Sequence, residues 1–245
     1  MTLTLLAALF VCILVVAALY SSVGHGGASG YIALMALFAL PAASIKPTAL
    51  VFNILVAGIA TCTYRRAGQF RWSVFWPFAV TSIPMSFAGG ALQLPAPYFK
   101  PLLGAVLLFA AFRLVYRRVE NTVPPSSPPQ AVAAAIGMVL GFVSGLIGVG
   151  GGIFLSPLLL LFGWATPRQT AGISALFILV NSIAGLLGHV SSLGNAMPGS
   201  AWLAAAAVLG GLLGSALGSR MLPVPAILRT LSLVTFSAAL KLILT

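Results

Sequence analysis

"VSGLIGVGGGIFLSPLLLL", residues 143–161, is apolar enough to lie in a bilayer, yet it carries three consecutive glycines, Gly150, Gly151 and Gly152, at its centre. A glycine inside a helix costs about 1 kcal/mol relative to alanine, so a run of three is a helix break. A short apolar helix begins at the break and is predicted over 151–163. The same arrangement occurs in "YSSVGHGGASGYIALM", residues 20–35, where a glycine cluster precedes an apolar helix predicted over 27–40. At a spacing near 124 residues, Gly24, Gly26 and Gly27 stand opposite Gly148, Gly150 and Gly151. Both short helices fall below the length needed to span a hydrocarbon core of about 30 Å at about 1.5 Å per residue.

The solvent of this chain follows from its composition. Of 245 residues, 60% are hydrophobic and 5% are charged, and mean hydropathy is +1.14. The sole acid is Glu120. So few charges cannot keep a soluble surface wet. Apolar runs long enough to cross a bilayer recur along the whole length, and they lack the short alternating pattern of barrel strands. The fold class is therefore all-α: a polytopic membrane protein whose partner is the lipid bilayer. The net charge of +11 is no nucleic-acid signature, because the 12 basic residues sit at the ends of apolar runs. Cys12 and Cys62 lie within apolar helices and read as buried free thiols. Trp72, Trp76, Trp164 and Trp202 fall near helix ends, where an aromatic belt places them.

About ten segments are expected, near 2–22, 27–40, 45–64, 72–93, 98–118, 130–147, 151–163, 168–190, 200–220 and 225–244. The stretch "RRVENTVPPSSPPQ", residues 117–130, divides the chain nearly in half. This gives a first membrane repeat over 1–118, a Pro/Ser-rich cytoplasmic linker over 119–129 and a second membrane repeat over 130–245. Basic residues orient the spans. If all ten segments cross, Arg65, Arg66, Arg71, Arg113, Arg117, Arg118, Arg168, Arg220 and Arg229 share one side, against Lys46, Lys100 and Lys241 on the other. Turning the two short segments back on themselves spoils that asymmetry, so the positive-inside rule favours ten crossings with both termini outside. Five segments per half is an odd number, which makes the halves an inverted repeat, an architecture of many secondary transporters.

Backbone at membrane depth must satisfy its hydrogen bonds internally unless it lines a polar cavity. A helix that begins at a glycine break presents free N–H groups backed by the positive end of its dipole, an anion site built from main chain. The plainer alternative is that the glycines only let helices pack closely. Two clusters at matching positions, each opening a short helix, favour binding. Cation carriers normally hold a buried carboxylate, and no candidate helix contains one, so the inventory suits a small anion. Candidate substrate contacts are Ser22, His25, Gly26, Gly27 and Ser29 from the first break and Ser144, Gly150, Gly151 and Gly152 from the second. Asn53, Asn181 and Ser182 join them from the longer helices. His25, inside a break, is the candidate for proton coupling. His189, at a helix end, reads as interfacial. Neither a metal site, a catalytic triad nor a nucleotide motif can be assembled, so no enzyme and no cofactor is expected.

Three stretches, "VGHGGASGYIALMAL" (23–37), "GLIGVGGGIFLSPLLLL" (145–161) and "SALFILVNSIAGLLGH" (174–189), resemble the sulfite exporter TauE/SafE family of membrane proteins. The first copy departs from a triple-glycine run, having Gly26, Gly27 and Ala28, and adds His25. The resemblance implies secondary transport of sulfur-containing anions such as sulfite or sulfoacetate-like sulfonates across a bacterial inner membrane. A transporter working by alternating access is the leading expectation. A passive anion channel with the glycines as its constriction is one alternative. Another is a membrane scaffold whose breaks pack dry.

Overall fold

In a computed structural model of the protein, residues 3–92 (except 39 and 41), 126–189 and 201–223 are described, with scattered positions at 108, 112 and between 225 and 240. The expected spans over 98–118 and 225–244, and Glu120 of the linker, lie essentially outside the described residues. Every described element is helical: α1 (Leu3–Ser21), α2 (Ala28–Leu37), α3 (Ala42–Arg66), α4 (Trp72–Ala91), α5 (Gln130–Ile147), α6 (Gly152–Leu161), α7 (Pro167–Gly188) and α8 (Ala201–Ala216). A π-helical turn, Leu217–Met221, extends α8. By length and composition, four stretches can cross a membrane: Pro47–Arg66 of α3, α5, α7 and Ala201–Met221.

The two short helices are shorter than expected, at 10 residues each. That is about 15 Å, half a hydrocarbon core. Their starts, Ala28 and Gly152, are 152 − 28 = 124 residues apart, the spacing of the glycine clusters. The start of α7 is set by a capping box: the Thr166 side chain accepts from the Gln169 amide and the Gln169 side chain accepts from the Thr166 amide.

Packing exchanges elements between the halves of the sequence. One apolar core joins α1, α2, α3 and α8 around Leu9, Ile13, Tyr31, Phe52 and Leu203. The other joins α4, α5, α6 and α7 around Phe78, Leu140, Leu155, Trp164 and Phe177. Two glycine ladders bring the exchanged helices backbone to backbone. Gly137, Gly141 and Gly145 of α5 lie on the carbonyls of Phe78, Ser82 and Ser86 of α4, where any Cβ would collide. Gly210, Gly214 and Gly218 lie likewise on the carbonyls of Leu14, Ala18 and Ser22. Each ladder advances four residues on both helices at once, so α5 runs parallel to α4, and α8 parallel to α1.

The remaining directions come from the same kind of contact. Gly211 meets Val56 and Ser215 bonds to Thr63, so α8 runs with α3. Ser86 donates to the Asn181 carbonyl and Gly90 lies on the Gly185 carbonyl, so α4 runs with α7. Asn53 pairs with Ser182 while Gly172 lies against Tyr64, so α3 and α7 are antiparallel. Helices α1, α3 and α8 therefore point one way and α4, α5 and α7 the other. At one end of the bundle Arg71 donates to the Trp164 carbonyl, Arg168 to the Leu222 carbonyl and the Ser126 amide to the Gly163 carbonyl. At the other end His189 contacts the Gly90 carbonyl at 3.1 Å.

The outer surface is apolar, with Val11, Val15, Val80, Phe87, Val139 and Leu213 all exposed, as lipid-facing positions must be. Two expectations change here. Both cysteines are free thiols, but Cys62 is exposed and Cys12 half-buried rather than buried, because lipid solvates an apolar helix face as well as a core does. Trp164 is no belt residue: it is buried, stacked on Phe162 and packed against Phe78.

Candidate functional site

Asn53 sits fully buried on α3, where α3 crosses α7, and it joins the two breaks. Its Oδ1 accepts from the Ala28 amide, the first residue of α2, at 3.2 Å. Its Nδ2 donates to Ser182 Oγ of α7 at 2.8 Å and to the Val149 carbonyl, in the second break, at 3.4 Å. The backbone makes room for this bridge. A Cβ at Gly26 would strike the Asn53 side chain, and one at Gly150 would fall 2.7 Å from Ser182 Oγ and 2.8 Å from Asn53 Nδ2. Gly27 and Gly151 each enter their helices at positive φ, +95° and +77°, which an L side chain rarely adopts.

Between the breaks lies a cavity of about 10 Å³, room for about one water molecule. The first break lines it with His25, Gly26, Gly27 and Ser29, and Tyr20 adds its ring. Val149, Ile153 and Ile178 close the other side. No acceptor among the described residues takes a hydrogen bond from the amides of Gly26, Gly27, Gly150 or Gly151. The breaks that precede α2 and α6 thus carry unmatched N–H groups backed by helix dipoles, those of Gly26 and Gly27 in the cavity lining and those of Gly150 and Gly151 outside it. The polar side chains are contributed unequally: Tyr20 OH and Ser29 Oγ are 3.0 Å apart on the first half's side, whereas the second half faces the cavity with apolar Val149 and Ile153.

Not every residue singled out in the sequence reaches this cavity. Ser22 turns its hydroxyl to the Leu19 carbonyl, and its own carbonyl accepts from Tyr64 OH at 2.6 Å. Asn181 donates to the Phe177 carbonyl within its own helix, leaving Oδ1 buried without a partner. Ser144 Oγ, also buried without a partner, lies beside Gly151, behind the break. Gly152 packs on Ile178. The structure adds three residues that sequence reading passes over: Tyr20, Ser156 and Ser174. His25 Nε2 lies 2.8 Å from Ser156 Oγ, which lies 2.7 Å from Ser174 Oγ. A lone serine in the apolar helix "GIFLSPLLLL" is the one signal that would have found Ser156.

The model of a family described as Sulfite exporter TauE/SafE matches residues 9–242. A protein of Sinorhizobium fredii (strain NBRC 101917 / NGR234), named "Probable membrane transporter protein y4hK", is 38% identical over 240 residues, covering 96% of this chain and 97% of its own. No solved structure matches.

Proposed function

The chain belongs to the sulfite exporter TauE/SafE family and is a multi-pass membrane transporter, and we propose that it carries a small anion by alternating access around the two glycine breaks. The observation that carries this reading is the convergence of both breaks on Asn53 beside one cavity, with the amides of Gly26 and Gly27, which line it, left unmatched. Such donors suit several oxygens of one anion, and no described residue at the cavity is acidic. The family name and the oxygen-rich demand of the site support a sulfur oxyanion or organosulfonate, of the sulfite or sulfoacetate kind. The protein resides in the inner cell membrane.

A cavity with room for one water does not admit a sulfonate, so the substrate enters when the first turns of α2 and α6 draw apart. That requirement supports a carrier with an occluded state over a standing channel. The opposed directions of α1 and α5, α3 and α7, and α4 and α8 support an inverted repeat of about ten segments. The bonds among Arg71, Trp164, Arg168 and Leu222 support the arginine-rich ends, and the 119–129 linker between the halves, facing the cytoplasm.

Thermal unfolding of the detergent-purified protein with sulfite, sulfoacetate, sulfate, acetate and choline tests the substrate class. At a ligand concentration a hundredfold above Kd, a sulfur anion is expected to raise Tm by about 5–10 °C and choline to leave it unchanged. A rise with choline alone, or with none of the five, would refute the anion reading.

A further inference from the structure

We infer that His25, Ser156 and Ser174 form a proton relay from the anion cavity toward the arginine-bearing end of α7, so that anion movement is linked to proton movement. This rests on the transport reading above. His25 is 1% exposed and lines the cavity, and Ser156 and Ser174 behind it are both 0% exposed. Contacts of 2.8 and 2.7 Å join the three in a row from the first break, through α6, to α7. A hydroxyl both donates and accepts, so such a row can reverse its direction.

Both ends of the row are open. His25 Nδ1 is buried without a hydrogen-bond partner. Thr170 Oγ1, one helical turn before Ser174 on the same face of α7, is likewise buried and unpartnered. A histidine held only to complete a core needs one acceptor; a row that continues for two hydroxyls, with a third, unsatisfied hydroxyl one helical turn beyond it, is arranged for passage. From Ser174 back to Pro167, the first residue of α7, the path is about 10 Å. Among the described residues lining the cavity, His25 carries the one side-chain nitrogen that can accept a proton. Tyr20 of α1 holds Ser29, Tyr31 of α2 lies beside Gly27, and Tyr64 of α3 bonds to the Ser22 carbonyl. The α7 cation Arg168 donates to the Leu222 carbonyl, and no described residue of the packed elements is acidic.

The step balances with one proton from bulk water at the α7 end. That proton enters at Thr170, a water bridging Thr170 to Ser174 passes one on, Ser174 passes its own to Ser156, and Ser156 passes its own to His25 Nε2. The hydroxyls end unchanged but reoriented. The imidazole becomes imidazolium and gives the cavity a cation beside the bound anion. Loss of the other proton, from Nδ1 toward the opposite face, leaves Nε2–H, and a flip of the imidazole with rotation of the hydroxyls restores an acceptor to Ser156 and resets the row.

The test uses the full chain in proteoliposomes with labelled sulfoacetate, which is ionised near neutral pH and brings no proton of its own, and a pH dye inside. Wild type is expected to exchange label in counterflow, to accumulate it under a pH gradient and to move protons with it. Ser174→Ala, off the cavity, is expected to keep counterflow within about twofold but to lose gradient-driven accumulation by about tenfold or more. Ser174→Thr, which keeps the hydroxyl, restores accumulation. Full accumulation by Ser174→Ala, or wild-type counterflow that neither accumulates nor moves protons, overturns the relay and leaves transport standing. Absence of counterflow in wild type overturns both.

Discussion

Asn53 takes its three hydrogen-bond partners from three different segments: the start of α2, the second break and α7. No residue of similar type substitutes for it, and the contrast with Asn181 makes the point testable. Asn181 spends its amide on a carbonyl of its own helix. Replacing Asn53 by Ala is expected to cost about 1–2 kcal/mol, within the range of buried interhelical bonds in membranes, and to abolish sulfur-anion binding. Asn181→Ala is expected to retain binding, with stability lowered by less than about 1 kcal/mol. Thermal unfolding in detergent with and without sulfite reads both quantities; equal losses from the two variants would contradict the bridging role. The asparagines are visible in the sequence as costly residues at mid-membrane, but their different duties are not. Which carbonyl or hydroxyl lies within reach depends on a crossing of α3 and α7 that lies some 130 residues apart in the chain, 182 − 53 = 129 for the bonded pair.

At the scale of elements, glycine has two separate uses here. The breaks were legible because three glycines in an apolar run permit no continuous helix, and a short helix does start at each of the matching pair. The ladders, Gly137, Gly141, Gly145 and Gly210, Gly214, Gly218, have the small-xxx-small form but sit inside uninterrupted helices, where composition alone gives no partner. Their partner carbonyls belong to α4 and to α1 and the residue after it, in the other half of the sequence, and only the fold identifies them. Gly141→Ala places a Cβ on the Ser82 carbonyl and Gly214→Ala one on the Ala18 carbonyl. Each is expected to lower stability by about 1–3 kcal/mol through overpacking, while Gly68→Ala, at an open turn with positive φ, costs about 1 kcal/mol from backbone strain alone. Chemical denaturation in mixed micelles measures the ranking. Ladder variants as stable as wild type would contradict close backbone packing.

For the whole molecule, the exchange of α4 and α8 means that each core draws on both halves of the sequence. Local periodicity shows that these helices are apolar; it does not say which core each will join. Which helix ends share one face was more legible, because arginines mark them. The bonds from Arg71 and Arg168 then bring the ends of α3, α6, α7 and α8 to one face. With Cys12 and Cys62 replaced by Ser, single cysteines at Arg66 and Thr166 are expected to react with an impermeant thiol reagent from the cytoplasmic side only, and one at Leu92 from the opposite side only. The Thr166 change gives up a helix cap, about 1 kcal/mol. Labelling of Arg66→Cys and Thr166→Cys from opposite sides would place the α6 end wrongly.

The central claim is that two breaks, 124 residues apart, build one anion site. Calorimetric titration of sulfite and of sulfoacetate into wild type, Gly26→Ala and Gly151→Ala in detergent tests it most directly. Alanine at Gly26 strikes Asn53, and alanine at Gly151 imposes a side chain on a φ of +77° beside Phe177 and Ser144. The account predicts one anion bound per chain in wild type and affinity weakened by about tenfold or more in both variants, a loss of about 1.4 kcal/mol. Two anions per chain with each variant removing one, or binding untouched by either change, would contradict it.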